Sequence, residues 1–257
     1  MAEYVDYAEY YDSDHTITLD VGFYLDYAQR CGSPILELAS GTGRLAIPLA
    51  EAGFEIHGVD LSENMLAICR RKVEEKALGD RVHLTRADMV QFELPRKDFA
   101  LAYVALRSFM HLLTQEDQRA CLQQIYEHLR PRGYFIVDII APDVEKLAQK
   151  PTATFAVRRE FSLPNGHHAV RKDRLVQHDI VKQVRHFELR FEEIDATGAL
   201  VRERLVPLAT RYTFRYELQL LLERVGFEII GVFRDYDQNP FDGTGELIVV
   251  SRRPHQT

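Results

Sequence analysis

The residues best suited to chemistry lie in one short stretch and its echo further along. In ILELASGTGRLAIPLA, Glu37, Gly41 and Gly43 sit between an apolar run and a helical pattern, and Asp60 ends the next apolar run seventeen residues after Gly43. A glycine pair in a strand-to-helix turn lets the backbone tighten and lets a ligand approach with no Cβ in the way. The helix that follows presents unpaired N–H groups. An acid at the end of the second strand of an open α/β sheet is placed to accept both hydroxyls of a ribose. Together these features predict a nucleoside-bearing ligand.

The sign of the charge beside the turn separates two such ligands. The dinucleotide fingerprint G-x-G-x-x-G sets a pyrophosphate on the helix N-terminus; here Ala46 could stand in for its third glycine. Glu37 would repel that pyrophosphate. A carboxylate there suits a ligand with an ammonium or sulfonium end, which favours S-adenosylmethionine over NAD.

These residues need a sheet to hold them. From Pro34 to about Ala141 the apolar runs PILELA, FEIHGVD, RVHLTRAD, FALAYVAL and YFIVDII alternate with the helical stretches GRLAIPLAEAG, SENMLAICRRKVEEKA and QEDQRACLQQIYEHL. That alternation predicts a parallel sheet covered on both faces. Gly53 can end the first helix, while Ser62 and Thr114 can cap the next two. After Pro142 four β-rich runs, TATFAVRREF, HAVRKDRLVQHD, QVRHFELRFEEID and LVRERLVPLATRYTF, are separated by turn signals at Pro164-Asn165-Gly166, Val181-Lys182 and Ala196-Thr197-Gly198. They predict an antiparallel meander with one solvated face. A helix (YELQLLLERVG) and two strands close the chain. The expected division is a helical flap over 1–33, a core over 34–145 and 216–257, and a β insertion over 146–215.

Beyond the nucleoside site the chain resembles a class I S-adenosylmethionine-dependent methyltransferase of the small-molecule type. The resemblance rests on ELASGTGR, GVDLSENML, the turn RADM, the run HLRPRGYFIVD and the closing RVGFEII with its last strand. It implies a Rossmann-like α/β fold whose seven-stranded mixed sheet has helices on both faces and an antiparallel final strand. It also implies S-adenosylmethionine as cofactor. Glu37 would meet the methionine amino end, and the backbone of Ala39, Ser40, Gly41 and Gly43 would line the methionine moiety. Asp60 would hold the ribose, with Leu61 and Met65 flanking the adenosine. Ala87, Asp88 and Met89 would face the adenine, Ala105 and Leu106 would pass beneath the sulfonium, and Tyr11 would close the site from the flap. The family's first-motif glycine is replaced by Ala39.

Methyl transfer needs no nucleophilic residue, because the donor is already activated and positioning does most of the work. In LRSFMHLLT, His111 is the expected general base, its ordinary pKa near ~6.5; lining the pocket is the alternative role. Arg107 is expected to hold an acidic substrate group or an acid of the N-terminal helix, and Arg211 and Tyr212 to reach the acceptor. Arg44 is expected on the surface or a helix face rather than as a carboxylate clamp. No pair of histidines with an acid shows metal-ligand spacing, so no metal is expected.

Charge and composition narrow the partners. The chain has 257 residues and a net charge of −7, with seven acids and no Lys or Arg in its first 29 residues. Tyr4, Tyr7, Tyr10 and Tyr11 recur at helical spacing there. Residues 152–215 instead carry an excess of four positive charges. That excess would favour an anionic acceptor or the acidic part of another copy, leaving a homodimer open. A net-acidic chain with no basic run is a poor nucleic-acid binder. No apolar stretch has membrane length and no signal peptide is apparent. With three scattered cysteines, these features predict a soluble cytoplasmic protein. The expected function is methylation of N or O on a small molecule. A non-catalytic S-adenosylmethionine-binding regulator and an NAD(P)-linked oxidoreductase are the competing readings.

Overall fold

A computed structural model describes residues 7–16 and 18–255. In chain order the elements are α1 (Ala8–Asp14), α2 (Val21–Cys31), β1 (Ile35–Leu38), α3 (Ala46–Glu51), β2 (Ile56–Asp60), α4 (Glu63–Glu75), β3 (Val82–Arg86) and β4 (Phe99–Val104). A 3-10 turn (Ser108–His111), α5 (Gln115–His128), β5 (Leu129–Ile140) and α6 (Val144–Leu147) follow. The meander β6 (Ala156–Ser162), β7 (His168–Asp179), β8 (Val184–Ile194) and β9 (Leu200–Arg211) precedes α7 (Arg215–Val225), β10 (Glu228–Phe233) and β11 (Glu246–Arg252).

Seven strands form one sheet in the order β10-β11-β5-β4-β1-β2-β3, and β6 to β9 form a second, antiparallel sheet. β1 pairs in parallel with both β2 and β4. β11 runs antiparallel to β5. This is the Rossmann-like mixed sheet with an inserted antiparallel sheet that the strand pattern and the family resemblance together imply. Strand order reverses at β1, so the crevice between the carboxyl ends of β1 and β4 is where such sheets bind ligands.

The central strands are buried on both faces because each face carries helices. Leu36, Leu38, Ala102, Val104 and Phe135 pack towards α5 and α7. Ile35, Ile56, Leu101, Tyr103 and Ile136 pack towards α2, α3 and α4. Ser62 caps α4 by accepting the Met65 N–H, and Thr114 caps α5 by accepting that of Asp117. Gly53, with φ of +99°, turns the chain after α3.

The N-terminal segment departs from the expected flap. Phe23, Tyr24, Tyr27 and Ala28 of α2 are buried in the sheet's core, so α2 is a structural layer. α1 instead packs against α4 and the meander: Ala8 and Tyr10, with the preceding Tyr7, cluster with Met65 and with Phe161, Ala169 and Phe191. Tyr4 lies outside the described residues. α3 also starts later than its periodicity suggests, because Gly41 to Leu45 are taken up by the turn.

Candidate functional site

The turn after β1 is built from left-handed backbone. Ala39, Gly41 and Gly43 have φ of 56°, 55° and 83°. Ala39 therefore adopts a glycine-like conformation at a cost of ~1–2 kcal/mol. The two glycines serve different ends. A Cβ on Gly43 would lie 2.6 Å from Cys69 Sγ, so that position is fixed by packing against α4. A Cβ on Gly41 would meet nothing closer than 4.0 Å, which leaves an open cradle on the ligand side. Asp60 ties the turn to β2: its Oδ2 accepts the Gly41 N–H at 2.7 Å and its Oδ1 the Ser62 N–H at 2.8 Å. Burial pushes the Asp60 pKa up and these backbone donors oppose it.

Glu37 is only 4% exposed at the carboxyl end of β1. Its Oε2, the Tyr103 hydroxyl and Ser40 Oγ are buried without a hydrogen bond of ordinary geometry, and the Tyr103 hydroxyl is the donor that lies against the carboxyl. Burial raises the Glu37 pKa to about 8, against the pull of Arg44. A buried carboxyl with spare acceptor capacity beside an open glycine cradle fits the cationic amino end of S-adenosylmethionine, whose ammonium would donate to Glu37. Arg44 is not on an exposed helix face: its guanidinium donates to both Asp20 oxygens, at 2.6 and 2.5 Å, and to Tyr11. A proton linkage follows. Below about pH 8 the free protein holds Glu37 protonated, so taking up an ammonium there releases a proton. Cofactor affinity is expected to rise between pH 6 and 8. Calorimetry in buffers of different ionisation enthalpy should show net proton release at pH 7, and an affinity flat across that range would exclude the linkage.

α1 bridges the turn and the meander through charge. Asp12 accepts the Thr42 hydroxyl at 2.6 Å and pairs with Lys72 at 2.6 Å. Glu9 pairs with Arg202 and Arg204 of β9. Asp14, fully buried, pairs with Arg171 of β7 at 2.5 Å, and its carbonyl accepts from Arg159 of β6. The Tyr10 ring stacks on Phe191 at 5.0 Å, and that of Tyr11 on His15 at 4.4 Å. The meander's positive excess thus meets the acidic N-terminal segment of the same chain.

The far wall starts where β4 ends. Leu106 and Arg107 are consecutive residues with φ of 50° and 66°. The fully buried Asp138 of β5 holds them, accepting the Arg107 N–H at 2.9 Å and the Tyr24 hydroxyl at 2.7 Å. The Arg107 side chain is exposed and pairs with Glu246 of β11, not with an acid of α1. The half-buried His111 ring hydrogen-bonds the Ala209 carbonyl, and burial lowers its pKa. Arg211, 3% exposed, is held by Gln118, Thr213, Gln183 and Glu217, a structural network in place of the expected acceptor contact. Tyr212 is buried against His178 and Phe214.

On the Asp60 side of the turn, Leu61 is exposed, Met65 is buried against α1, and Ala87 donates its N–H to the Asp60 carbonyl. Asp88 accepts the Val90 N–H at 3.1 Å, which shapes the turn that carries Met89. Ala105 is buried next to the strained pair. Asp20, Tyr103 and Asp138 escaped the sequence reading. The signal for Asp138 was present, since a lone acid in YFIVDII is as anomalous as Glu37 in ILEL.

Residues 35–133 match the methyltransferase domain family. A putative methyltransferase of Geobacillus sp. is 34% identical over 113 residues, 44% of each chain, so the match spans less than half of that relative. A glycine/sarcosine N-methyltransferase of Parasynechococcus marenigrum is 26% identical over 232 residues, covering 86% of this chain and 72% of the relative. The CcbJ methyltransferase structure from Streptomyces caelestis superposes with a TM-score of 0.79 at 26% identity, over 98% of this chain and 96% of that one.

Proposed function

We propose that the chain is a class I S-adenosylmethionine-dependent methyltransferase that methylates a small-molecule acceptor, an amine nitrogen ahead of an oxygen. Bound S-adenosylmethionine supplies an activated methyl group that moves by in-line displacement. The observation that carries the reading is the buried Glu37 carboxyl beside the open Gly41 cradle, with Asp60 at the end of the neighbouring strand.

In this reading Glu37 and the backbone of Ala39 to Gly41 hold the amino-acid end, Asp60 the ribose, and Asp88 and Met89 the adenine. The strained turn at Leu106 and Arg107 sets the floor of the methyl-transfer position. α1 and the meander close over the crevice and keep water out. The amine preference draws on the glycine/sarcosine relative. An anionic acceptor loses its rationale, because Glu9 and Asp14 already face the meander's arginines. His111 takes the proton that a neutral amine or hydroxyl must shed on methylation. Its lowered pKa keeps the imidazole neutral, and so able to accept, at pH 7.

Three measurements test this. Calorimetry should find binding of S-adenosylmethionine or S-adenosylhomocysteine and none of NADH, while a panel of amines, phenols and carboxylates should show S-adenosylhomocysteine release first with amines. Tight NADH binding would overturn the proposal. His111→Ala should lower turnover about 100-fold, the usual contribution of a positioned base, and leave cofactor affinity within about twofold. Wild-type turnover in that variant would leave His111 a pocket-lining residue only.

A further inference from the structure

The opposite end of the sheet holds a second group of chemistry-bearing side chains that the methyl-transfer site does not use. Glu55, His57 and His83 bring a carboxylate oxygen and two ring nitrogens within 4.8 Å of one another. The arrangement follows from strand geometry. Glu55 and His57 are two residues apart and so share a face at the start of β2. His57 and His83 are partners in the parallel register of β2 and β3, with ring centroids 4.7 Å apart. Sequence spacing hid the set, because His83 lies 26 residues after His57 and only strand pairing brings them together.

We propose that Glu55, His57 and His83 form a binding site for a divalent transition-metal ion of the zinc class. Glu55 Oε1 lies 2.9 Å from His57 Nε2 and 3.9 Å from His83 Nε2. Ligand atoms on a tetrahedral zinc ion with bonds of ~2.0–2.1 Å are about 3.3 Å apart, so modest side-chain rotations close the set around an ion. Two imidazoles and one carboxylate select zinc, cobalt, nickel or copper over magnesium and calcium, which prefer all-oxygen sites. His57 is buried and held edge-on by Phe99 at 5.1 Å, which fixes one ligand. His83 and Glu55 are open to solvent, which gives the ion its path and leaves the fourth position to water. Arg96 Nη1 also donates to Glu55 Oε1, at 2.8 Å. Its Nε and Nη2 are held by Asp98, so metal binding displaces two contacts at Glu55 Oε1, those from Arg96 Nη1 and His57 Nε2, or turns the first to the other carboxylate oxygen.

The test uses the full-length chain after chelator treatment. Titration with Zn2+ in a calorimeter should show one ion per chain, and Co2+ should give the visible absorption of a tetrahedral site. His83→Ala, a solvent-facing change, should weaken Zn2+ binding at least about tenfold, and Glu55→Gln likewise. S-Adenosylmethionine affinity should not change in either variant, because the group sits at the amino ends of β2 and β3 and the cofactor at the carboxyl ends. Saturable binding that survives His83→Ala unchanged, or no binding to the wild-type chain at about 100 µM Zn2+, would overturn the proposal.

Discussion

Asp60→Ala should weaken S-adenosylmethionine binding by roughly 1.5–3 kcal/mol, about 10- to 150-fold in Kd. Two losses add in the same direction. The proposed ribose contact removes two charge-assisted hydrogen bonds from the complex. The free protein also loses the tie between β2 and the glycine turn, because Asp60 accepts the N–H groups of Gly41 and Ser62. The turn is strained at Ala39, so freeing Gly41 lets it relax away from the shape that cradles a ligand. Asp60→Asn separates the two effects. An amide keeps one acceptor oxygen for the turn, sets its NH2 against the second backbone N–H and loses the charge that holds the ribose, so its melting temperature should fall only part of the way towards that of Asp60→Ala while Kd still rises. Isothermal calorimetry reads the affinity and a thermal melt the fold. A Kd unchanged in Asp60→Ala would leave the carboxylate with the backbone tie alone.

Asp60 also marks the boundary of what the amino-acid sequence reveals. Its position follows from local rules, because a strand, a glycine turn and a helix constrain one another over some thirty residues. Ser62 and Thr114 are legible for the same reason, as each cap acts on a residue three positions on. Arg44, Arg107 and Arg211 were misplaced because a long cation's partner is chosen in three dimensions: Asp20, Glu246 and Glu217 respectively. Nothing in the spacing of those pairs singles them out. The N-terminal acids show the same limit. Their excess was visible, but only the fold sets Glu9 and Asp14 against the arginines of the meander. The aromatic stripe of α1 likewise identified a covering helix, whereas the burial of α2 depends on the shape of the sheet beneath it. Buried acids are the exception. Glu37 and Asp138 betray themselves by interrupting apolar strands, since an ionisable group enters such a strand only where a specific partner offsets the loss of water.

Asp138→Ala is expected to lower stability by about 3 kcal/mol, a fall of roughly 8 °C in melting temperature for a chain of this size. Asp138 is fully buried, and without it the Arg107 N–H and the Tyr24 hydroxyl would be left without their acceptor. Leu106 and Arg107 would at the same time lose the anchor that keeps two successive non-glycine residues left-handed. Because that pair floors the proposed methyl-transfer position, turnover should fall further than cofactor affinity. Asp138→Asn supplies the control, since an amide oxygen can still accept the Arg107 N–H while the Tyr24 hydroxyl turns to accept from the amide. It should recover most of the stability and turnover. Burial raises the Asp138 pKa to about 6, above its value in an unfolded chain. The folded form therefore binds the proton more tightly, so this group lowers wild-type stability as pH rises from about 4 to 6 and contributes no slope above. Asp138→Asn should lack that slope. A melting temperature in Asp138→Ala within a degree or two of wild type would mean that the strained turn holds itself, and that the acid is not its anchor.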